Sequence, residues 1–178
     1  TESPLAKKMR EYDLEMLILA GGTVITGPLA SGIETVETVF KEHDFDTVLD
    51  MFAGSGAYSK VAANHDVDRI DTVDINTDAA EVNLQNISQV NLHEMDAFEF
   101  TPDQKYDLLI ADPFYELSKP FIDQKLPELI NYCDYYFQTT AFVGDTYWRK
   151  AIRAELEKYL DEMTEYNSGR MYQIFGEL

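Results

Sequence analysis

Short apolar runs alternate with amphipathic segments along most of the chain. The runs predict buried strands, and the spacing of apolar residues between them predicts helices. We place the strands at 47–52, 69–75, 92–95, 106–111 and 134–143, and the helices at 31–43, 57–64, 77–89, 119–132 and 146–161. Because strands and helices alternate, the pattern is typical of a mainly parallel, doubly wound sheet with helices on both faces.

The N-terminal end departs from this alternation. Residues 3–19 have apolar positions at helical spacing, which predicts an extra N-terminal helix outside the sheet. Residues 16–33 carry no charge between Met16 and Ile33, so a membrane span must be considered. Their glycines and Pro28 favour a connecting segment with short strand character instead. We expect no membrane association.

The C-terminal end also departs from the alternation. Residues 163–166 and 170–175 flank the turn-forming sequence Asn167-Ser168-Gly169, which predicts an antiparallel hairpin. We find no internal repeat, and 178 residues with 45% hydrophobic content suffice for one core. We therefore expect a single globular body, with residues 1–28 as the helix and connecting segment and residues 29–178 as the main domain.

Charge narrows the possible partners. The chain has 33 acidic and 14 basic residues, for a net charge of −19, which opposes non-specific binding to nucleic acid. An RNA partner would have to be bound by a local site, or a protein partner would have to supply positive charge. The single cysteine, Cys133, favours a reducing, cytoplasmic setting. The three histidines lack metal-ligand spacing, so we expect no metal site.

The first predicted strand runs into a glycine-containing turn, Asp50-Met51-Phe52-Ala53-Gly54-Ser55-Gly56. Glycine there lets a ligand approach the backbone, and the following helix presents amide groups at its N-terminus. An ordinary strand-to-helix turn is the alternative. Asp74 ends the next strand, twenty positions after Gly54, where a carboxylate can accept hydrogen bonds from both ribose hydroxyls.

Two further turns carry candidate ligand contacts. Ile75 could flank an adenine ring, although a lone apolar residue more often belongs to the core. Asp96, followed by Ala97, comes after the third strand, where a carboxylate can accept a hydrogen bond from an exocyclic adenine amine. A surface aspartate that caps a short turn is the alternative there.

The sequence Asp112-Pro113-Phe114-Tyr115 ends the fourth strand of the predicted sheet. A carboxylate and a neighbouring carbonyl, fixed by proline, form two acceptors that can hold the protons of an amine and orient its nitrogen. Phe114 and Tyr115 offer a surface on which a planar group can stack. A simple strand-ending turn remains the alternative.

Together these motifs resemble those of class I S-adenosylmethionine-dependent methyltransferases, over roughly residues 29–178. The Asp-Pro-Phe-Tyr sequence resembles the Asp-Pro-Pro-aromatic signature of the amino-methylating branch, with Phe114 in place of the second proline. Within that branch, residues 31–40 and the Phe-Ala-Gly-Ser-Gly turn are similar to the bacterial family that methylates a guanine exocyclic amine in small-subunit ribosomal RNA. The basic N-terminal segment of that family is replaced here by a neutral one.

The resemblance implies a seven-stranded Rossmann-like sheet with a C-terminal antiparallel hairpin, and S-adenosylmethionine as the methyl donor. It implies cofactor contacts from Asp50, Phe52, Ala53, Gly54, Ser55, Gly56, Asp74, Ile75, Asp96 and Ala97. It also implies an acceptor site formed by Asp112, Pro113, Phe114 and Tyr115. The implied reaction is methylation of an amine nitrogen, first of all an exocyclic amine of an RNA base during ribosomal RNA processing.

Other functions fit the same residues less well. A protein side chain, DNA or a small amine could be the acceptor in place of RNA. A nicotinamide-dependent oxidoreductase also begins with a Gly-x-Gly turn, but Ser59 stands where its third glycine would be. A non-catalytic module with the same fold is a further alternative, against which the intact Asp74 and Asp112 argue.

Overall fold

Parallel pairing of the apolar runs builds the centre of the structure. We describe it from a computed structural model, for residues 17–18, 24–25, 30–141, 146–168 and 171–178. Each run pairs with strands that are distant in sequence, and the helices between them provide the crossovers that parallel pairing needs. The strands are β1 (Leu17–Ile18), β2 (Val24–Ile25), β3 (Thr47–Met51), β4 (Arg69–Asp74), β5 (Val90–Glu94), β6 (Tyr106–Ala111), β7 (Cys133–Ala141), β8 (Asp161–Ser168) and β9 (Met171–Glu177).

Seven of these strands form one sheet in the order β5-β4-β3-β6-β7-β9-β8. Strands β3 to β7 are parallel to one another, whereas β9 is antiparallel to both β7 and β8. The seven-stranded sheet with its C-terminal antiparallel hairpin is therefore confirmed. The chain order reverses between β3 and β6, which is where open α/β sheets bind their ligands.

Helices connect the strands. They are α1 (Ala30–Glu42), α2 (Ala57–Asn64), α3 (Asp78–Asn83), α4 (Tyr115–Gln124), α5 (Leu126–Leu129) and α6 (Thr146–Leu156). One apolar cluster packs α1 and α2 against the sheet, with Val36 and Val61 fully buried. A second cluster on the opposite face contains Phe121 of α4, Leu126 of α5 and Ile152 of α6. Helices therefore cover both faces, as predicted.

Local differences from the predictions have local causes. The helix predicted over 119–132 begins earlier, at Tyr115, and is interrupted at Lys125. Pro127 lies in the first turn of the second helix, where its missing N–H removes no intrahelical bond, so it suits a helix that starts anew at Leu126. The helix predicted over 77–89 already ends at Asn83, ahead of Asn86, whose φ of +66° is left-handed. That conformation cannot continue a right-handed helix.

The N-terminal prediction is wrong at Leu17 and Ile18. These residues form β1 and pair antiparallel with Ile25 and Val24, so their backbone groups bond across a ladder rather than along a helix. The short strand character predicted for this segment is correct there. The rest of the predicted helix and the domain boundary at residues 28 and 29 lie outside the described residues.

The terminal hairpin is longer than predicted. The strand β8 extends through Asn167 and Ser168, which pair with Tyr172 and Met171, so these two residues do not form the tip. A register shift between Asp161 and Thr164, with Glu162 at φ +50°, shows where β8 accommodates an irregularity.

Candidate active site

The turn after β3 has an unusual backbone. Phe52, Gly54 and Gly56 all have left-handed φ angles, of +57°, +56° and +76°. This region is costly for a bulky residue such as Phe52, and such strain is concentrated at functional sites. The Phe52 ring packs edge-on against Phe121, with ring centroids 5.3 Å apart, which holds the strained residue in place.

The two glycines of this turn differ in surroundings. A Cβ at Gly54 would meet no atom within 4 Å, so this side of the turn is open space. A Cβ at Gly56 would lie 2.5 Å from Cδ1 of Leu84, the residue after α3, and the left-handed φ of +76° is the stronger requirement for glycine there. The open approach to a ligand that we predicted for this turn is thus available at Gly54. Ala53 and Ser55 connect these positions, and the Ser55 carbonyl accepts a hydrogen bond of 2.9 Å from Asn83.

Asp50 lies under the turn and is fully buried. Its Oδ2 accepts hydrogen bonds from the backbone N–H and the hydroxyl of Ser59, at 3.1 and 2.7 Å. Its Oδ1 has no partner among the described residues. Burial raises the pKa of Asp50 to about 7, against the lowering effect of the Ser59 bonds, and the charge of Asp74 raises it further. Asp50 therefore has unused acceptor capacity at the ligand end of the sheet.

Asp74 ends β4 beside the same turn. Its Oδ2 accepts a hydrogen bond from the Gly54 N–H at 2.9 Å, and its Oδ1 accepts one from the Asn76 N–H at 2.9 Å. These bonds fix the carboxylate while a second lone pair on each oxygen stays available. The neighbouring Ile75 is 73% exposed, so it belongs to the surface at this edge rather than to the core.

Asp96 and Ala97 follow β5. Asp96 Oδ1 accepts a hydrogen bond from the Phe98 N–H at 2.9 Å, which closes a turn around a half-buried carboxylate. Ala97 is buried, and the Phe98 ring lies edge-on to Phe52 at 6.3 Å. An aromatic contact thus links this turn to the glycine turn, in keeping with two parts of one site.

Asp112 directly follows β6, and its N–H donates to the Met51 carbonyl at 3.3 Å. Burial, followed by the charge of Asp50, raises the pKa of Asp112 to about 8. Pro113 is buried, whereas Phe114 is 76% exposed and directly precedes α4. Tyr115 is the first residue of that helix. The exposed ring beside a half-buried carboxyl is suited to stacking a planar group.

The carboxyl groups of Asp50, Asp74 and Asp112 lie at the ends of three adjacent strands, β3, β4 and β6. Among the residues that the structure describes, no cation forms an ion pair with any of the three. A positively charged ligand would offset their repulsion. The open space at Gly54 and the unpaired Asp50 Oδ1 therefore fit a cationic, nucleoside-containing ligand such as S-adenosylmethionine.

Sequence reasoning missed several residues that support this site. Ser59 and Thr72 form a buried hydroxyl pair at 2.7 Å beneath Asp50, and Asn83 anchors the glycine turn from α3. The available signal was a polar residue on an otherwise apolar strand or helix face. Thr72, which shares a face of β4 with the buried Ile70, shows that signal.

The described part of the chain has neither a membrane-spanning helix nor a metal-binding cluster. No helix there is long and apolar enough to cross a membrane. No group of three or more histidine, cysteine, aspartate or glutamate side chains there could hold a metal ion.

Solved structures share this fold. The human methyltransferase 10 domain containing protein superposes with a TM-score of 0.67 at 17% identity, covering 97% of this chain and 93% of that one. An S-adenosylmethionine-dependent O-methyltransferase from Thermotoga maritima gives 0.67 at 14% identity, covering 92% and 77%. The ribosomal protein L11 methylase of Lactobacillus delbrueckii subsp. bulgaricus gives 0.64 at 18% identity, covering 82% and 79%. These likenesses show a class I methyltransferase fold.

A curated relative is similar over a shorter stretch. The ribosomal protein uL3 glutamine methyltransferase of Bradyrhizobium diazoefficiens is 38% identical over 77 residues, which is 39% of this chain. The match spans about a quarter of that relative's length, 24%.

A family model matches most of the chain. The matched model is described as the TRM5/TYW2 methyltransferase domain and covers residues 30–163, from the start of α1 into β8. This range includes every predicted site residue. The chain therefore belongs to the TRM5/TYW2 methyltransferase domain family, and S-adenosylmethionine is its implied cofactor.

Proposed function

We propose that this methyltransferase modifies a planar amino nitrogen, in the first instance an exocyclic amine of an RNA base. The observation that carries the proposal is the half-buried Asp112 next to Pro113, with the exposed ring of Phe114 beside it. A carboxyl and a carbonyl at this position can accept both protons of an NH₂ group and direct its lone pair. The resemblance to the bacterial guanine-methylating family supports the choice of an RNA base.

The residues of the glycine turn would hold the cofactor. Gly54 would border its methionine part, Asp74 would accept hydrogen bonds from the ribose hydroxyls, and Asp96 would contact the adenine. Ile75 would flank the adenine ring, and Asp50 would add negative charge beneath the turn. S-adenosylmethionine, when bound, supplies a methyl group already activated by its sulfonium. The remaining contribution of the protein is positioning and charge, so no strong general base is required.

Asp112 has a second role in proton balance. An amine nitrogen that gains a methyl group and stays neutral must lose one proton. The ionised Asp112 carboxylate can accept that proton, and its raised pKa of about 8 makes it a better acceptor than an ordinary aspartate. Repulsion between the Asp112 and Asp50 carboxylates favours proton uptake by Asp112, because protonation removes that repulsion.

A second candidate function is methylation of an amide or amine nitrogen of a protein. The net charge of −19 favours it, because a basic protein would be attracted where RNA would be repelled. Two similar proteins are described as acting on ribosomal proteins, uL3 and L11. A carboxamide nitrogen is planar and carries two protons, so it would meet the same acceptors as a base amine.

One experiment separates the two candidates. The purified protein is incubated with methyl-labelled S-adenosylmethionine and cell extract, and the product is split between ribonuclease and protease digestion. Loss of high-molecular-weight label only with ribonuclease supports an RNA base, and loss only with protease supports a protein acceptor. Label in neither fraction, with wild type equal to Asp112→Ala, would contradict both.

A further inference from the structure

A second concave site lies at the end of the sheet opposite the glycine turn. It is a cavity of about 170 Å³ where α1 ends at Glu42, beside the first residues of β7 and β8 and the last residues of β9. Tyr135 in its wall is level with Leu108 near the start of β6, whereas Asp112 follows the end of β6. A ligand in this cavity would therefore leave the cofactor turn and the acceptor site open.

The inner lining of this cavity is aromatic. The rings of Tyr135 and Phe175 are parallel, with centroids 5.6 Å apart. The ring of His43, which follows α1, lies against both, at 5.3 and 5.0 Å. Tyr166 of β8 adds a fourth ring and is half-buried, as are Tyr135 and His43. Because these rings pack against one another and against the core, they form a fixed aromatic surface that is partly open to solvent.

The outer part of the same cavity is acidic. Glu42 at the end of α1, Glu162 in β8 and Glu177 at the end of β9 all line it, and all three are exposed. Among the described residues, none of the three forms an ion pair, and no lysine or arginine lines the cavity. The carbonyl groups at the end of the 13-residue α1 add partial negative charge. The cavity thus combines aromatic rings with negative charge that the described chain leaves uncompensated.

This combination favours a planar cation. Aromatic rings attract cations through their π electrons, and carboxylates exclude anions and stabilise positive charge. A guanidinium group stacks on aromatic rings, is weakly hydrated and donates paired hydrogen bonds to carboxylates. The ammonium group of lysine is more strongly hydrated and cannot stack in this way. An arginine side chain therefore fits the cavity better than a lysine side chain or a neutral group.

The charge of the whole chain indicates where such an arginine would come from. A net charge of −19 attracts a basic protein and repels nucleic acid. The cavity also opens beside β8, the edge strand of the seven-stranded sheet, where no further strand of the described chain pairs. A segment of another protein thus has room to approach the cavity along this edge.

We propose that this cavity is a docking pocket for an arginine side chain of a basic partner protein. The guanidinium would lie against the aromatic lining and donate hydrogen bonds to Glu162 and Glu177. Docking at this end of the sheet would hold the partner while the cofactor turn stays accessible. The proposal goes beyond the function proposed above and holds whichever nitrogen is methylated.

The first test is binding of short peptides to the full chain. Three capped peptides are compared, with arginine, lysine or citrulline between two glycines, and amide signals of the ¹⁵N-labelled protein are followed by NMR. The arginine peptide is expected to shift the signals of Tyr135, Phe175 and Gly176. Citrulline has nearly the same shape without the charge, so its peptide should bind at least about tenfold more weakly, and lysine should be intermediate. Equal affinities for the arginine and citrulline peptides would overturn the proposal.

Variants at exposed positions test the acidic part of the cavity without disturbing the core. Glu162→Gln combined with Glu177→Gln is expected to weaken the arginine peptide about tenfold. The matched control combines Glu34→Gln with Asp68→Asn, which removes the same charge at two exposed positions outside the cavity and should keep the wild-type affinity. No loss in the first pair, or an equal loss in both pairs, would overturn the proposal.

A variant of the lining tests the aromatic contribution. Tyr166→Leu keeps an apolar side chain but removes one ring, so it should weaken the arginine peptide about two- to fivefold. Unchanged affinity would remove Tyr166 from the proposed pocket and contradict its aromatic basis.

A second copy of this chain is the rival source of the arginine. Sedimentation velocity is measured over a range of protein concentrations, and the wild type is expected to remain monomeric. A dimer that the glutamate pair dissociates and the control pair does not would overturn docking of a different protein. S-adenosylmethionine affinity should be the same in all these variants. None of the measurements uses methyl transfer, so failure of the proposed function would leave their outcome unchanged.

Discussion

Two buried aspartates on neighbouring strands show how differently one residue type is used in this sheet. Asp71 of β4 is 1% exposed and has three partners: the Tyr106 hydroxyl donates to it, Arg69 Nη2 lies 3.1 Å from Oδ2, and His93 Nε2 lies 3.3 Å from Oδ1. Asp50 of β3 is fully buried, and within the described part of the chain it is bonded to Ser59 through one oxygen while the other has no partner.

This difference separates a buried carboxyl group that stabilises the fold from one that a bound ligand would compensate. A buried carboxylate that is paired with cationic and hydroxyl side chains needs no ligand, because the protein itself offsets the cost of removing the charge from water. A buried carboxyl that lacks such partners costs stability until something else compensates it. Asp50 is of the second kind, and it lies at the ligand end of the sheet beside the half-buried Asp112 that follows β6.

The comparison predicts the largest effect on stability at Asp71. Asp71→Ala would leave Arg69 and the Tyr106 hydroxyl without their buried partner, and we expect the free energy of unfolding to fall by about 3–5 kcal/mol. Urea denaturation measures this, while the affinity for S-adenosylmethionine in the folded fraction should stay within about twofold. Asp103→Ala removes the 82% exposed partner of Arg69 and should change stability by less than about 0.5 kcal/mol. Equal costs for the two variants would contradict the assignment of Asp71 to the fold.

Asp112 is expected to behave in the opposite way. Asp112→Ala should keep the affinity for S-adenosylmethionine within a few fold, because the acceptor rather than the cofactor meets this residue. Methyl transfer at saturating cofactor should fall by about 10²-fold or more, since the acceptor nitrogen is no longer oriented. Isothermal titration and a labelled-methyl assay measure the two quantities. Glu116→Ala, an exposed carboxylate in α4, is the matched control and should change neither.

A collapse of cofactor binding in Asp112→Ala would show that its role is misassigned. It would also weaken the comparison, because Asp112 would then belong to the cofactor site.

The surroundings of Asp71 also show how far the fold could be predicted from the sequence. The strands β3 and β6 were predictable because each is a short, mainly apolar run followed by a turn residue, and burial on both faces leaves such a run few alternatives. The pairing of Asp71 with Tyr106 could not be predicted, since the two residues lie on strands separated by β3 in the sheet and no local pattern links them.

The candidate site was predictable only in outline. Asp74 and Asp112 were found because they follow apolar runs, and parallel strands bring their carboxyl ends to one edge. Ser59 and Thr72 were not found, because their hydroxyl pair joins a helix to a strand and no local sequence pattern links the two. The helix predicted from residue 119 in fact begins at Tyr115, so its first turn was missed.

A pH series sharpens the comparison at Asp50. The pKa of Asp50 in the folded protein is about 7, above its ordinary value of 3.8, so the folded state binds a proton that the unfolded state has lost between these values. The free energy of unfolding should therefore fall as pH rises from about 4 to 7 and level off above 7. Between pH 5 and 8 the fall attributable to Asp50 is roughly 2–3 kcal/mol.

Asp50→Asn should remove that part of the decline, because asparagine does not titrate and still accepts the Ser59 bonds. Thermal or urea denaturation at several pH values measures it. Asp44→Asn changes an exposed carboxylate and should leave the slope unaltered. Parallel slopes for wild type and Asp50→Asn would mean that Asp50 is compensated in the folded protein, as Asp71 is.

The smallest expected effect is at Asp74, which shares features with both Asp71 and Asp50. Like Asp71 it is bonded within the protein, to the Gly54 and Asn76 N–H groups, yet among the described residues no cation pairs with it. If it also accepts the ribose hydroxyls, Asp74→Ala should weaken S-adenosylmethionine binding about 10- to 30-fold, corresponding to roughly one charged hydrogen bond. Asp68→Ala, at the other end of the same strand region, is the control and should leave the affinity unchanged. An affinity in Asp74→Ala equal to that of wild type would place Asp74 with Asp71, as a residue that serves the turn and not the ligand.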